Sequence, residues 1–383
     1  MTAVAQSPTA AQAWTRDVAA ALVLPPITRR DPRMAFALHS SELVNHFGPI
    51  WSHLDPDGFE IVFASPDPTG NERIARFAAE HGYRARFVGD ALAEGRSYAT
   101  VVSNHMGAAG DVGPDWEPGV LRLGERQVRL MYALGKDAWN FAPWNEKYDL
   151  ILAWGPYQAA RLAEFDRPRI VQVGYPRFDR FFRITETRRD AVARLGGDPD
   201  RPTLAWLPTW SRHSSIDAFA EGIAALRDQF NVLLKVHPLT ATAEPARMAR
   251  LADLGLRPVG DVNFDNVELF HAADMVAADY GGSAFGAIYA DRELVLLNTP
   301  GVGSDGDDPA MGPDSLDVQL REWILNVDPG ESDAIRGYYT DASAREQQRS
   351  TRARLRRSLF APFDGCAGEV AATVLRNVER VLR

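Results

Sequence analysis

Hydrophobic and polar positions along this chain follow two alternating periods. Short runs that are apolar throughout, or apolar at every second position, predict strands: RMAFALHS (33–40), FEIVFASP (59–66), RARFVG (84–89) and YATVVSNH (98–105). Between them the apolar residues recur three and four apart. SELVNHFGPIWSHL (41–54), opened by a serine, and NERIARFAAEHG (71–82), closed by a glycine, read as helices. The apolar runs VRLMYALG (128–135), YDLILAWG (148–155) and PRIVQVG (168–174) complete this half. After TETRRDAVARLGG (185–197) the pattern restarts. It gives strand PTLAWLPT (202–209), helix SSIDAFAEGIAALRDQF (214–230), strand NVLLKVHP (231–238) and helix EPARMARLADLG (244–255). Residues 266–300 then read helix, short strand, Gly-rich turn, helix, strand. Strands separated by helices predict α/β architecture with mainly parallel sheets covered on both faces.

The restart predicts two Rossmann-like, doubly wound domains facing a central cleft. A chain of 383 residues also exceeds the usual size of one hydrophobic core. The expected organisation is a loose arm over 1–30, a first domain over 31–185, and a second over 186–383 that includes the terminal helix GEVAATVLRNVERVL. The segment 301–316, rich in Gly, Asp and Pro, reads as a loop. The arginine-rich stretch 336–358 reads as a helix with a solvated face. Contact with a membrane surface or a polyanionic acceptor is its alternative role. Open α/β sheets bind ligands beyond the C-terminal ends of their strands, so the candidate chemistry is expected just after strands.

Charge and cysteine content narrow the function classes. A net charge of −9 argues against nucleic acid or anionic lipid as a bulk electrostatic partner. One cysteine, Cys366, permits no intrachain disulfide and fits a reducing, cytoplasmic compartment. No run reaches the length of a membrane span. Among 42 basic residues only Lys136, Lys147 and Lys235 are lysines.

Polar groups cluster at the predicted strand ends. His237 closes NVLLKVH, with Lys235 on the same face by alternation, and Pro238 ends ladder pairing there. An imidazole at a strand end can donate to a phosphate oxygen or move a proton. In ADYGGSAFG (278–286), Gly281 and Gly282 are expected to turn the backbone sharply, and Ser283 to open a helix whose amides suit an anion. LPTWSRH (207–213) brings Thr209, Trp210, Ser211 and Arg212 to a third edge. In the first half, VSNHMGAAGD (102–111) offers His105 with Asp111 as a base and its orienter. Residues 132–149 hold Lys136, Trp139, Asn140 and Asn145, a candidate acceptor pocket or an interdomain plug. His39, His46, His53 and His81 fall in or near helical stretches without ligand spacing. No metal-binding pattern is visible, and none is expected.

Taken in order, VGYPRFD (173–179), LPTW (207–210), LLKVHP (233–238), DMVAADYGGSAFGAIYADRELVLL (274–297) and FDG (363–365) resemble the CDP-glycerol glycerophosphotransferase family of teichoic-acid and capsule polymer enzymes. The resemblance covers most of 98–370. It implies a GT-B-like fold whose second domain holds the nucleotide diphosphate of a CDP-linked donor, with no cofactor or metal. It also implies a lipid-linked or saccharide acceptor and a cytoplasmic protein with peripheral contact at the inner face of the membrane.

His237 is similar to the family's second-domain histidine. Asp279, Tyr280 and Ser283 match its Asp-Tyr-Ser-Ser motif, with Gly281 at the first serine. Thr209 and Trp210 match a Pro-Thr-Trp-Arg element, with Ser211 at the arginine and Arg212 one place later. The family's Trp-His-Gly motif is absent. Its best local match is ALGK (133–136), which puts Leu134 at the position of the presumed base and leaves His105 as the candidate. The competing expectations are a sugar-nucleotide glycosyltransferase or epimerase on the same fold, and a catalytically silent nucleotide-binding partner.

Overall fold

The computed structural model describes residues 26–105, 116–302, 311–312 and 314–383. Seven strands form the first sheet: β1 (Arg29–Leu38), β2 (Phe59–Phe63), β3 (Ala85–Phe87), β4 (Arg96–Ser103), β5 (Gly124–Leu130), β6 (Leu150–Ala153) and β7 (Arg169–Gln172). Their order is β3-β2-β1-β4-β5-β6-β7, parallel throughout. The second sheet holds β8 (Thr203–Leu207), β9 (Asn231–Leu234), β10 (Met275–Ala278), β11 (Glu293–Leu297) and β12 (Asn326–Val327). Its order is β12-β11-β10-β8-β9, also parallel. The two-residue edge strand β12 carries too little apolar periodicity to read from sequence.

The central strands of the first sheet are buried on both faces, as β2 and β6 show at every position, which is why their runs are mainly apolar. Ala35 and Ala37 face one cluster, shared with the second domain, while Phe36 and Leu38 face another. That second cluster is completed from the far end of the chain. Ala371, Ala372 and Leu375 of helix Ala367–Arg376 pack with Phe47, Ile50 and Trp51 of helix Val44–Trp51. The terminal helix assigned by sequence to the second domain therefore lies on the first. Its start is fixed by Asp179, whose carboxylate accepts from the amides of Ala367 and Gly368. The first domain is also entered earlier than expected, since β1 begins at Arg29; the arm up to residue 25 lies outside the described residues.

The arginine-rich helix spans Ala342–Leu359, and part of it packs inward. Arg352 is buried and pairs with Glu293, while Arg356 pairs with Asp364. Among the described residues no helix is long and apolar enough to cross a membrane.

Strand order reverses between β1 and β4 in the first sheet and between β10 and β8 in the second. At such points the connections leave in opposite directions and open a crevice. The two crevices face each other and merge into one cleft of about 500 Å³ lined by both domains.

Candidate active site

The second domain builds its wall from the ends of β8, β9 and β10. His237 follows β9 and caps helix Pro238–Ala243: its Nδ1 accepts from the Leu239 amide at 3.2 Å. An accepting Nδ1 leaves the imidazole hydrogen of the neutral ring on Nε2. Trp210 stacks on this ring at 5.8 Å. Ser211, after β8, has a left-handed φ of 59°, unusual for a residue with a Cβ. The Glu244 carboxylate holds that turn by accepting from the Ser211 amide at 2.9 Å. Arg212 is exposed at the rim and Thr209 is buried beside it, both lining the cleft.

Two glycines behave differently from their sequence expectation. Gly281 is extended, with φ −179°, and Gly282 begins helix Gly282–Tyr289. Neither needs glycine for its backbone. A Cβ on Gly281 would sit 3.4 Å from Thr209 Oγ1, and one on Gly282 would meet nothing within 4 Å. Their effect is to leave space at the mouth of the helix, where Ser283 and the first amides face the cleft.

Asp279 also lines the cleft, but its carboxylate is engaged by the backbone behind it. Its buried carboxylate accepts from the amides of Thr209 (2.9 and 3.0 Å) and Ser215 (2.7 Å). Burial pushes its pKa up to about 6, against the lowering effect of those amides. It is the post that shapes the 207–215 loop. Tyr280 is displaced from its expected role. It lies outside the cleft lining, under the Arg321 guanidinium at 3.5 Å, and donates to the Val302 carbonyl. Lys235 lines the cleft, but its ammonium donates to the carbonyls of Val236 and Val262. Burial lowers its pKa.

The first domain builds the opposite wall around Arg129, which is fully buried. Its guanidinium donates to the Asn104 carbonyl (2.9 Å), the Asn140 carbonyl (2.8 Å) and Oδ1 (3.1 Å), and Asn145 Oδ1 (2.6 Å). Trp144 covers its face at 4.3 Å. Burial lowers its pKa to about 10. Asn145 is thus a buried partner of Arg129 rather than an acceptor contact, and it does not line the cleft. Asn140, Trp139 and Lys136 do line it.

The segment 133–136 is pinned from the second domain. Asp317 accepts from the Lys136 amide at 2.6 Å, and a Cβ on Gly135 would lie 1.9 Å from that carboxylate, so only glycine fits. Lys136 itself takes a left-handed φ of 57°. Leu134 is fully buried in the core and does not line the cleft. Tyr132, just before this segment, lines the cleft together with Lys136.

His105 follows β4 as expected and lines the cleft beside Trp139, with ring centroids 4.8 Å apart. Asp111 lies outside the described residues. His39, expected in or near a helical stretch, instead follows the end of β1, and its Nε2 is 3.2 Å from that of His105.

Glu42 and His46 also enter the cleft. Tyr132 donates to Glu42 at 2.5 Å, and Arg177 donates to His46 Nε2 at 2.9 Å while pairing with Asp265 at 3.2 Å. Burial would raise the Glu42 pKa, but His237, His46, Tyr132 and Arg177 overcome it and hold it down at about 2. Burial and the Arg177 charge push His46 down to about 3, so it is neutral and accepts. Arg177 lies within VGYPRFD, yet its role bridging the domains has no sequence signal. Glu42 and His46 are spaced four apart on one helical face, the one clue available to sequence reading.

Two facing parallel α/β sheets with a shared cleft at their reversal points define a GT-B-like fold. Residues 145–296 match the sequence model of the CDP-Glycerol:Poly(glycerophosphate) glycerophosphotransferase family, so the chain carries a domain of that family. Among solved structures it is similar to the wall teichoic acid polymerase TagF, at TM-score 0.66 and 15% identity, with 96% of this chain and 94% of that chain covered. A TagF variant soaked with CDPG aligns at TM-score 0.63 and 13% identity, with the same coverage. Anabaena HepE in complex with UDP and glucose aligns at TM-score 0.55 and 12% identity, covering 90% of this chain and 99% of that one. At these identities the likeness is one of fold. No curated protein matches the chain by sequence.

Proposed function

We propose that this protein transfers glycerophosphate or a related phospho-polyol from a CDP-linked donor to a hydroxyl acceptor. The observation that carries the reading is the convergence, in one cleft, of His237, Arg212 and the helix mouth at Gly281–Ser283, within the segment that matches the glycerophosphotransferase family. These are donors of hydrogen bonds and positive charge at the reversal point of the second sheet, where a diphosphate is stabilised.

In the reaction the acceptor oxygen attacks the β-phosphorus of the donor in line. The new O–P bond forms as the bond from that phosphorus to the CMP oxygen breaks, and CMP leaves. The acceptor's proton passes to His105 and then to solvent. His237, Arg212 and the helix amides offset the charge that grows on the phosphate oxygens. The acceptor in this reading is a lipid-linked or saccharide cell-envelope polymer. The reaction runs in the cytoplasm, in keeping with a single cysteine, with peripheral contact at the inner membrane face through exposed arginines such as Arg357.

The test is incubation with CDP-glycerol and a polyol-phosphate acceptor, with nucleotide products separated and identified. Release of CMP coupled to growth of the acceptor is the expected result. Release of a nucleoside diphosphate from UDP- or GDP-sugars instead would replace the reading with glycosyl transfer.

A further inference from the structure

Among the described residues four carboxylates line the cleft, and three of them are occupied. Asp279 and Asp317 are each 2% exposed and accept from backbone amides, those of Thr209 and Ser215 for the first and that of Lys136 for the second. Asp67 caps helix Pro68–Glu80 at the rim, and both its oxygens accept from the Thr69 hydroxyl. Glu42 differs. It is half-buried and lies in the turn Ser41–Leu43 that follows β1. The turn is fixed from the other domain: Ser41 Oγ donates to Asn263 Oδ1 at 2.8 Å, and Asn45 Nδ2 donates to the Asn263 carbonyl at 3.0 Å. Tyr132 donates to Glu42 Oε1, and the His46 ring lies against Tyr132 at 4.8 Å. Oε2 accepts from no described residue and keeps surface in the cleft. Nor does Glu42 form an ion pair among the described residues. Arg177 is engaged by His46 and Asp265, and Lys235 by two carbonyls.

We propose that Glu42 binds a polyol hydroxyl at Oε2 and is the specificity-determining residue of the first-domain wall, an inference that rests on the transferase reading above. A carboxylate held ionised repels phosphate, so it meets the part of the substrates that carries hydroxyls instead. A hydroxyl donating to it makes a charge-assisted bond, about twice as strong as a neutral one. Tyr132 holds Oε1, which aims the other oxygen in advance and lowers the entropy lost on binding. The hydroxyl can come from the polyol being transferred or from the terminal unit of the acceptor. The recognition chemistry is the same for both.

The test titrates the full chain and its Glu42→Gln variant calorimetrically with CDP, CDP-glycerol and CDP-propanol, which lacks both free hydroxyls of the glycerol. Acceptor KM is measured alongside from CMP release. Glutamine keeps an oxygen for Tyr132 and removes the charge. If the hydroxyl belongs to the donor, Glu42→Gln weakens CDP-glycerol binding about 10-fold and leaves CDP and CDP-propanol unchanged. If it belongs to the acceptor, the three nucleotide affinities hold and acceptor KM rises about 10-fold. Tyr132→Phe, which releases the carboxylate from its fixed aim, should move the same quantity by a smaller factor, so the test does not rest on one variant folding. No change in either quantity, or an equal loss for all three nucleotides, would overturn the proposal. An unaltered protein that releases no CMP from CDP-linked donors would remove the transferase reading and this inference with it. An active protein indifferent to Glu42→Gln would remove the inference alone.

Discussion

The two walls of the cleft are built in different ways. The second-domain wall comes from three contiguous motifs, each ending a strand: 207–213, 235–238 and 279–283. The first-domain wall is assembled from scattered residues, with Glu42 and His46 following β1, His105 following β4, and Tyr132 and Lys136 following β5. These are supported from behind by Arg129 and from across the cleft by Asp317. A wall of contiguous motifs keeps a strand-end grammar that survives in sequence. A wall of scattered residues depends on buried hydrogen bonds between segments distant in the chain. That difference predicts that lesions of the first wall reach stability first, and lesions of the second reach turnover first.

The sharpest break of the comparison is Arg129→Met. It leaves the Asn104 and Asn140 carbonyls and the Asn140 and Asn145 side chains without their buried donor, and should destabilise the fold by about 4 kcal/mol. Denaturant unfolding measures this. A loss below about 1 kcal/mol would show that the first wall does not depend on its hub. On the second wall, His237→Ala should lower kcat by about 100-fold or more. It also removes a helix cap worth about 1 kcal/mol, so His237→Asn, which keeps a cap, separates the two effects. Restored stability with turnover still lost is the expected outcome.

The walls should also part company in acid. Glu42, held at about 2 when folded, contributes stability that is present above its unfolded value and lost as pH falls from about 4.5 toward 2. Asp279, raised to about 6, has the opposite sign: its contribution is present below about 3.8 and is lost as pH rises through 6. Glu42→Gln should flatten the stability profile below pH 4.5, and Asp279→Asn should flatten it between about 4 and 6. Urea midpoints measured across pH 3 to 7 test both. Interchanged windows would contradict the assigned environments.

The smallest effect is expected for Gly281→Ser. The extended backbone and the 3.4 Å clearance from Thr209 leave room for it, so stability should change by no more than about 0.5 kcal/mol. A larger loss would mean that the glycine is required at the helix mouth.

Sequence reading reached the parallel α/β halves because the central strands of both sheets are buried on two faces, so their runs stay mainly apolar. It reached His237, Thr209 and Arg212 because each ends a run of that kind. It missed His39 by the same rule misapplied: RMAFALH is a strand with a terminal histidine, as YATVVSNH is. Tyr280 stands in the motif but outside the cleft, packed under Arg321, while the Asp279 carboxylate lines the cleft and is held by backbone amides; in sequence the two look alike. Arg129, Arg177 and Asp317 act through partners up to 181 residues away, and periodicity carries no trace of such distances. The terminal helix was assigned to the wrong domain for that reason too, because its amphipathic face does not say which sheet it covers.

The central claim concerns what the second wall holds. It is tested most directly by calorimetric titration of the purified protein with CDP-glycerol, CDP, UDP and GDP without added metal. The account predicts binding of the cytidine ligands in preference to UDP and GDP, lost in His237→Ala and retained in Arg357→Ala. Preference for UDP or GDP, or cytidine binding that survives loss of His237, would contradict it.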